Sequence, residues 1–135
     1  RIASGSLGQG LSVAIGAALS KKLNNDNNLV YCLMGDGELQ EGQNWEAIMY
    51  AASNKVDNII ATIDLNGQQI DGSTDDVLNL GSIKEKFSAF GWDILECEEG
   101  NNIAQISETL NTAKNRCFKG HPAKDGDTKI VKLLI

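Results

Sequence analysis

Two strand-sized apolar runs, Leu29–Met34 and Asn58–Leu65, stand on either side of a segment, Asn44–Asn54, whose Trp45, Ile48, Met49 and Ala52 recur at helical spacing. Continuous apolar runs of this length describe strands covered on both faces, not strands with one wet side. A strand, a helix and a strand within about 30 residues is the length of a crossover joining parallel neighbours, which is right-handed in nearly every known case. A parallel sheet needs helices on both faces. This one unit therefore commits the chain to a layered α/β fold.

The remaining segments fit that commitment. Small and apolar residues run from Gly8 to Leu23, among them Leu11, Val13, Ala14, Ile15, Ala17, Ala18 and Leu19, too continuous for one amphipathic stripe, so they read as a buried helix. Its glycines Gly8, Gly10 and Gly16 lower helix propensity by about 1 kcal/mol each relative to Ala, so close packing or a close ligand should compensate. Asn24–Asn28 and Asn66–Leu80 read as loops, Ser82–Phe90 and Ile103–Ala113 as helices, and Trp92–Cys97 and Lys129–Ile135 as further strands. Without repeats or low-complexity linkers, the expectation is a doubly wound, mostly parallel sheet flanked by helices, a single domain over residues 1–135.

Composition narrows the partners. Eighteen acidic residues against twelve basic ones leave a net charge of −6, which gives no basic footprint for nucleic acid. No apolar stretch approaches the roughly 18 residues of a membrane span, so the expectation is a soluble chain. Cys32, Cys97 and Cys117 are odd in number, widely spaced and without a CxxC pair, and His121 has no second histidine, so reduced thiols in a cytoplasmic protein are expected and a zinc site is not. The chain starts at Arg1 with no initiator Met and no signal peptide, and is read as incomplete at its front.

Ligands of such sheets bind beyond the carboxyl ends of the strands. Gly35-Asp36-Gly37 follows the first strand and Asn66-Gly67-Gln68 the second. The glycines allow close backbone approach to an anion. The Asp36 carboxylate, the Asn66 amide oxygen and a backbone carbonyl at Gln68 are hard oxygen donors, the protein share of a magnesium site completed by a ligand's phosphates. Taken alone, Gly-Asp-Gly is more often a plain turn than a ligand site. Other phosphate and cation motifs fail on these residues: Leu11 stands where a phosphate loop after Gly5–Gly10 needs lysine, Gln40 where a dinucleotide fingerprint needs its third glycine, and Gln69 and Asp75 where a calcium loop beginning at Asp64 needs glycine and glutamate.

The longer pattern adds more. Gly35-Asp36-Gly37-Glu38-Leu39-Gln40-Glu41-Gly42 is followed, with 28 residues intervening after Gly37, by Asn66. This resembles the thiamine-diphosphate-binding motif of the transketolase family. Gly5-Ser6-Leu7-Gly8-Gln9-Gly10 is similar to that family's cofactor loop, Asn66–Gly72 to its metal loop, and Phe90-Gly91-Trp92 to the region beyond it. The resemblance runs to about Ala113 and identifies a diphosphate-binding domain lacking the pyrimidine-binding domain.

The resemblance implies a role for each of these residues. Asp36, Asn66 and the Gln68 carbonyl ligate magnesium, for which Ca2+ or Mn2+ substitute. Gly35, Gly37 and Asn66 meet the diphosphate of thiamine diphosphate, and Gly5, Ser6 and Leu7 border its rings. Glu41 and Glu46 belong to a hydrogen-bonded network across a dimer interface, although carboxylates at a helix start also favour its dipole regardless of function. Function follows as two-carbon ketol transfer between sugar phosphates in a cytoplasmic enzyme of the pentose phosphate pathway, active only with a carboxyl-terminal transketolase half or subunit, as a homodimer or heterotetramer. Alternatives are 1-deoxyxylulose-5-phosphate synthase, which would use pyruvate, and a non-catalytic flavodoxin-like module with Asp36 at a strand end. His121 and Asp125-Gly126-Asp127 read as surface turns without a role.

Overall fold

In a computed structural model, which describes residues 2–119 and 131–134, the two apolar runs lie side by side. Strand β1 (Val30–Gly35) pairs in parallel with β2 (Ile59–Asp64), Val30 opposite Ile59 and Gly35 opposite Asp64, so both strands end at one level. The chain between them forms helix α2 (Gly42–Ser53), as its spacing predicts. Strand β6 (Val131–Leu134) lies between β2 and β5 (Asp93–Glu96), giving one four-stranded parallel sheet in the order β1-β2-β6-β5.

Helices lie on both faces of the sheet, as parallel strands require. Helix α1 (Gln9–Leu23) packs on β1 and beside α2, and its Leu11, Ala14, Ile15 and Ala18 join Cys32, Met34, Ile59, Ala61 and Ile63 in the main core. On the other face α5 (Ile103–Lys119) covers β2, β5 and β6, with Ala113 and Ile60 at the centre of a smaller core and Leu110 and Cys117 against it. Among the described residues that face of β1 is left open: Tyr31 is 56% and Leu33 74% exposed, because α5 stops short of this edge strand. The expected cover on both faces therefore holds for β2 and not for β1. Alternation along β2 sends Ile59, Ala61 and Ile63 to one core and Ile60 to the other, which is why that strand reads as apolar throughout.

Helix α4 (Ile83–Ala89) starts at a Ser82 cap and delivers Phe87 to the main core, where its ring meets Trp92 edge-on at 5.3 Å and Trp45 at 5.8 Å. The Trp92 indole N–H donates to the Ile48 carbonyl, tying the start of β5 to α2. Arg116 grips both oxygens of Asp93 and joins α5 to β5.

Three further expectations need correction. The α1 run is not buried all round: one stripe at i, i+3, i+4 and i+7 is covered, while Val13 and Ala17 face outward and Leu23 is 84% exposed. Small residues hide the helix period, because Ala and Gly sit equally well on either face. Asn66–Leu80 is not irregular throughout: it holds a two-residue hairpin, β3 (Gln68–Gln69) against β4 (Gly72–Ser73), and a short helix α3 (Thr74–Leu78) capped by Ser73. Helix α5 runs six residues beyond Ala113, and it buries Ala113 with Leu110 and Cys117 packed beside it, whereas Ile103 is left 82% exposed. The His121 and Asp125–Asp127 turns lie outside the described residues.

Candidate functional site

Because β1 and β2 end level, the chain leaving each strand emerges beside the other, and the Asp36 N–H donates to the Asp64 carbonyl at 3.0 Å. Asp36 then caps a 3-10 turn, Gly37–Gln40, its Oδ1 accepting from the Gly37 N–H at 2.9 Å. Its Oδ2 reaches across to the Gly67 N–H, also at 2.9 Å. The carboxylate is 5% exposed, so two backbone donors on two loops stabilise a buried charge.

Asn66 lies one residue before that donor and Gln68 one residue after it. The Asn66 Oδ1 accepts from the Gln68 N–H at 2.8 Å and its Nδ2 donates to Asp64 Oδ2 at 3.0 Å, an Asx-type turn that holds the loop in shape. A Cβ at Gly37 would stand 2.6 Å from Gln69 Cβ and 3.1 Å from the Gln68 carbonyl oxygen, so the 3-10 turn and the β3 loop touch where only glycine fits. Asp36, Asn66 and the Gln68 carbonyl are thus held together through Gly67 and Gly37. Their chemistry, one carboxylate and two neutral oxygens, fits a hard divalent cation and not a soft one. Among the described residues no cluster of three His, Cys, Asp or Glu side chains offers a rival metal site.

The third segment joins from the far side of the turn. Gly5, Ser6 and Leu7 form an exposed loop closed by a 2.7 Å bond from the Leu7 N–H to the Gly5 carbonyl. Gly8, with φ +85°, starts α1, and its N–H donates to the Glu38 carboxylate at 2.9 Å, while Gln43 Nε2 donates to the Leu7 carbonyl at 2.6 Å. The loops at 5–10, 35–42 and 66–73, far apart in sequence, therefore meet at the carboxyl edge of the sheet.

Glu41 and Glu46 are placed differently from that cluster. Glu41 is the N-cap residue of α2, but its side chain makes no capping bond, and its Cβ lies against Gly8. Glu46 lies past the first turn of α2, beyond the reach of the helix dipole, and both carboxylates face outward. The dipole explanation therefore covers Glu41 alone.

Reading by motif missed four residues. Glu38 is 8% exposed, Asn44 is fully buried and donates to the Glu38 carbonyl at 2.6 Å, Gln43 holds Leu7, and Gln40 Nε2 donates to the Thr74 and Leu78 carbonyls. Trp45 adds a bond from its indole N–H to the Leu39 carbonyl, pinning the turn to the aromatic core. Only the position of Asn44 on an otherwise apolar helical face hints at any of this. Below the turn, burial pushes the Cys32 thiol up to about 11, and the nearby Glu38 charge adds to it.

A parallel sheet flanked by helices, with an oxygen-donor cluster between the ends of adjacent strands, defines an α/β domain of the class that takes its ligands beyond the carboxyl ends of the strands. Residues 1–123 match the model of the transketolase thiamine-diphosphate-binding domain, and the chain belongs to that family. It is 42% identical over 110 residues to a 6-deoxy-6-sulfo-D-fructose transketolase subunit of Clostridium sp. (strain MSTE9), covering 82% of this chain and 40% of that protein. Human transketolase is 36% identical over 118 residues, 85% of this chain and 18% of its own length. Among solved structures, the transketolase of Campylobacter jejuni superposes with a TM-score of 0.76 at 32% identity over 98% of this chain and 20% of that one. The chain spans less than half the length of these curated relatives.

Proposed function

We propose that this chain supplies the diphosphate- and metal-binding part of a thiamine-diphosphate-dependent transketolase, assembled with a carboxyl-terminal half or subunit. The observation that carries the reading is the meeting of three loops through Asp36–Gly67 and Glu38–Gly8, which leaves glycine backbone, a carboxylate and neutral oxygens around one place. Thiamine diphosphate, when bound, supplies the carbanion-stabilising chemistry of ketol transfer.

The chain's own residues bind and orient. Asp36, Asn66 and the Gln68 carbonyl hold a magnesium ion, with calcium or manganese as substitutes, and that charge offsets the diphosphate. Gly35, where an added Cβ would meet nothing within 4 Å, leaves room for phosphate oxygens against the backbone, and Gly37, packed against Gln69, offers the diphosphate its backbone alone. Gly5, Ser6 and Leu7 border the cofactor's rings, and the exposed Leu7 side chain offers them an apolar surface. Glu41 and Glu46, unpaired on the outward face of α2 among the described residues, are free to hydrogen-bond across an assembly interface.

Identity of 41% to 44% to separate transketolase subunits, against 33% to 36% to long-chain transketolases, supports assembly with a separate carboxyl-terminal subunit. Phosphorylated or otherwise anionic sugars are the proposed substrates: the relatives include subunits named for apulose 4-phosphate and for 6-deoxy-6-sulfo-D-fructose. Three free cysteines fit a reducing, cytoplasmic setting, and no described helix is long and apolar enough to cross a membrane.

Calorimetric titration of thiamine diphosphate into the assembled protein, with magnesium and with a chelator, tests the reading. Magnesium-dependent heat is expected, along with ketol transfer from a ketose phosphate only when the carboxyl-terminal part is present. Absence of heat in every mixture overturns the cofactor site, and release of carbon dioxide from pyruvate would favour a deoxyxylulose-phosphate synthase instead.

A further inference from the structure

The loop proposed to border the cofactor's rings has little of its own to hold it: Gly5, Ser6 and Leu7 are exposed, and Gly8 is in the left-handed region. Its anchorage comes from Gln43 on α2, whose Nε2 donates to the Leu7 carbonyl at 2.6 Å, and from the turn that follows Asp36. Glu38 lies on that turn, is 8% exposed, and directs one carboxylate oxygen to the Gly8 N–H across 30 residues of sequence. The backbone of Glu38 is itself immobilised, since its carbonyl accepts from the fully buried Asn44 side chain at 2.6 Å and from the Glu41 N–H at 3.1 Å. The neighbouring Leu39 carbonyl is held by Trp45.

Gly8 is the N-cap of α1, yet no side-chain cap and no acidic residue in the first turn serve that helix. A carboxylate supplied from the 3-10 turn stands in for both, satisfying a buried donor and lying at the positive end of the helix. Charge-assisted bonds of this kind are about twice as strong as neutral ones, and their geometry is correspondingly tight.

We propose that Glu38 is a positioning residue that fixes the ring-bordering loop, residues 5–8, relative to the Asp36 metal and diphosphate site. The inference rests on the functional reading above. One short turn then carries the metal ligand at its start and the loop anchor two residues later, so the distance between the two ends of the cofactor cradle is set within a single rigid segment. Glu38 touches no ligand in this arrangement and acts through Gly8.

The test uses the assembled full-length protein and three variants. Glu38→Gln keeps an acceptor oxygen at the same reach, Glu38→Met keeps the volume and removes the acceptor, and Glu38→Asp is one methylene too short to reach Gly8. Two ligands are titrated at saturating magnesium: thiamine diphosphate, which spans both ends, and inorganic pyrophosphate, which occupies the metal end alone. Hydrogen exchange of the peptide covering residues 5–10 is followed without ligand.

For Glu38→Met and Glu38→Asp, thiamine diphosphate should bind about tenfold or more weakly, pyrophosphate within about twofold of the parent, and exchange at residues 5–10 should quicken about tenfold, consistent with one lost charge-assisted bond. Glu38→Gln should restore all three readings to within a few-fold. Unchanged thiamine diphosphate affinity in both Met and Asp variants overturns the proposal, as does equal weakening of both ligands, which marks a general loss of structure. If the parent protein binds neither ligand, the functional reading fails first and this inference with it. A parent that binds both while the variants match it refutes this inference alone.

Discussion

Replacing Gly37 by alanine tests the contact on which the proposed metal site depends. The added Cβ would stand 2.6 Å from Gln69 Cβ, 3.1 Å from the Gln68 carbonyl oxygen and 3.4 Å from Gln69 Cα. Carbon atoms rest at about 3.5 to 4.0 Å, so the hairpin backbone must retreat by roughly 1 Å. Overpacking of this kind costs about 1 to 3 kcal/mol. The retreat carries the Gln68 carbonyl with it and stretches the bond between Gly67 and Asp36. Metal–oxygen distances tolerate about 0.2 Å, and magnesium demands near-octahedral geometry, whereas calcium accepts longer and more variable ligation.

Thiamine diphosphate binding to the assembled Gly37→Ala protein should therefore weaken roughly a hundredfold with magnesium and only about tenfold with calcium, given those tolerances. Calorimetry with each metal in turn measures both. A methyl group that merely obstructed the diphosphate would weaken binding equally with either metal, so the contrast isolates the displaced carbonyl. Gly42→Ala, where an added Cβ meets nothing within 4 Å, should change neither affinity by more than about twofold, in line with ordinary surface substitutions. Full magnesium-supported affinity in Gly37→Ala would refute the reasoning.

Asp36→Ala should reduce magnesium-dependent cofactor binding by more than the roughly 10- to 100-fold typical of changes one step removed from a metal ligand, and Asn66→Ala should act similarly. Asp125→Ala should leave calorimetric binding untouched, and equal losses at Asp125 and Asn66 would show the metal loop misassigned. Phe87→Ala, at a fully buried ring between Trp45 and Trp92, should lower unfolding free energy in urea by about 3 to 5 kcal/mol; a loss below about 1 kcal/mol would mean that the aromatic cluster does not hold α4 to the core. Burial holds the Cys32 and Cys117 thiols at about 11, above the ordinary 9.0, so between those values the unfolded chain ionises first and the native state retains more protons. Their contribution to stability should be complete below pH 9 and lost as pH rises through 11, and denaturation curves of the Cys32→Ala/Cys117→Ala protein should show a shallower alkaline decline. An identical decline in both proteins would contradict it.

Elements whose signal is contained in a short window are legible in the sequence. The apolar runs that form β1 and β2, and the helical spacing of Trp45 and Ile48 in α2, match the structure to within one or two residues. The hairpin and α3 are not legible in this way, because two-residue strands have no period to detect, and their stability comes from a Ser73 cap and from Gln40 reaching in from another loop. The exposed side of α1 is hidden for a different reason: Ala, Gly and Ser record no face.

By itself the sequence determined the α/β layering, the strand ends at which the proposed site lies and the oxygen donors available there, since alternation, run length and the Gly-Asp-Gly to Asn spacing are properties of the chain alone. Tertiary structure decided which groups meet: Asp36 with Gly67, Glu38 with Gly8, Gly37 against Gln69, and Trp45 beneath the turn. Except for the Trp45 bond, those contacts join loops about 30 residues apart, and their geometry follows from the level register of β1 and β2 and the packing of α1 on the sheet. Local propensity is set by neighbours within one helical turn or strand pleat, so it contains no term for a carboxylate on one loop meeting an N–H on another.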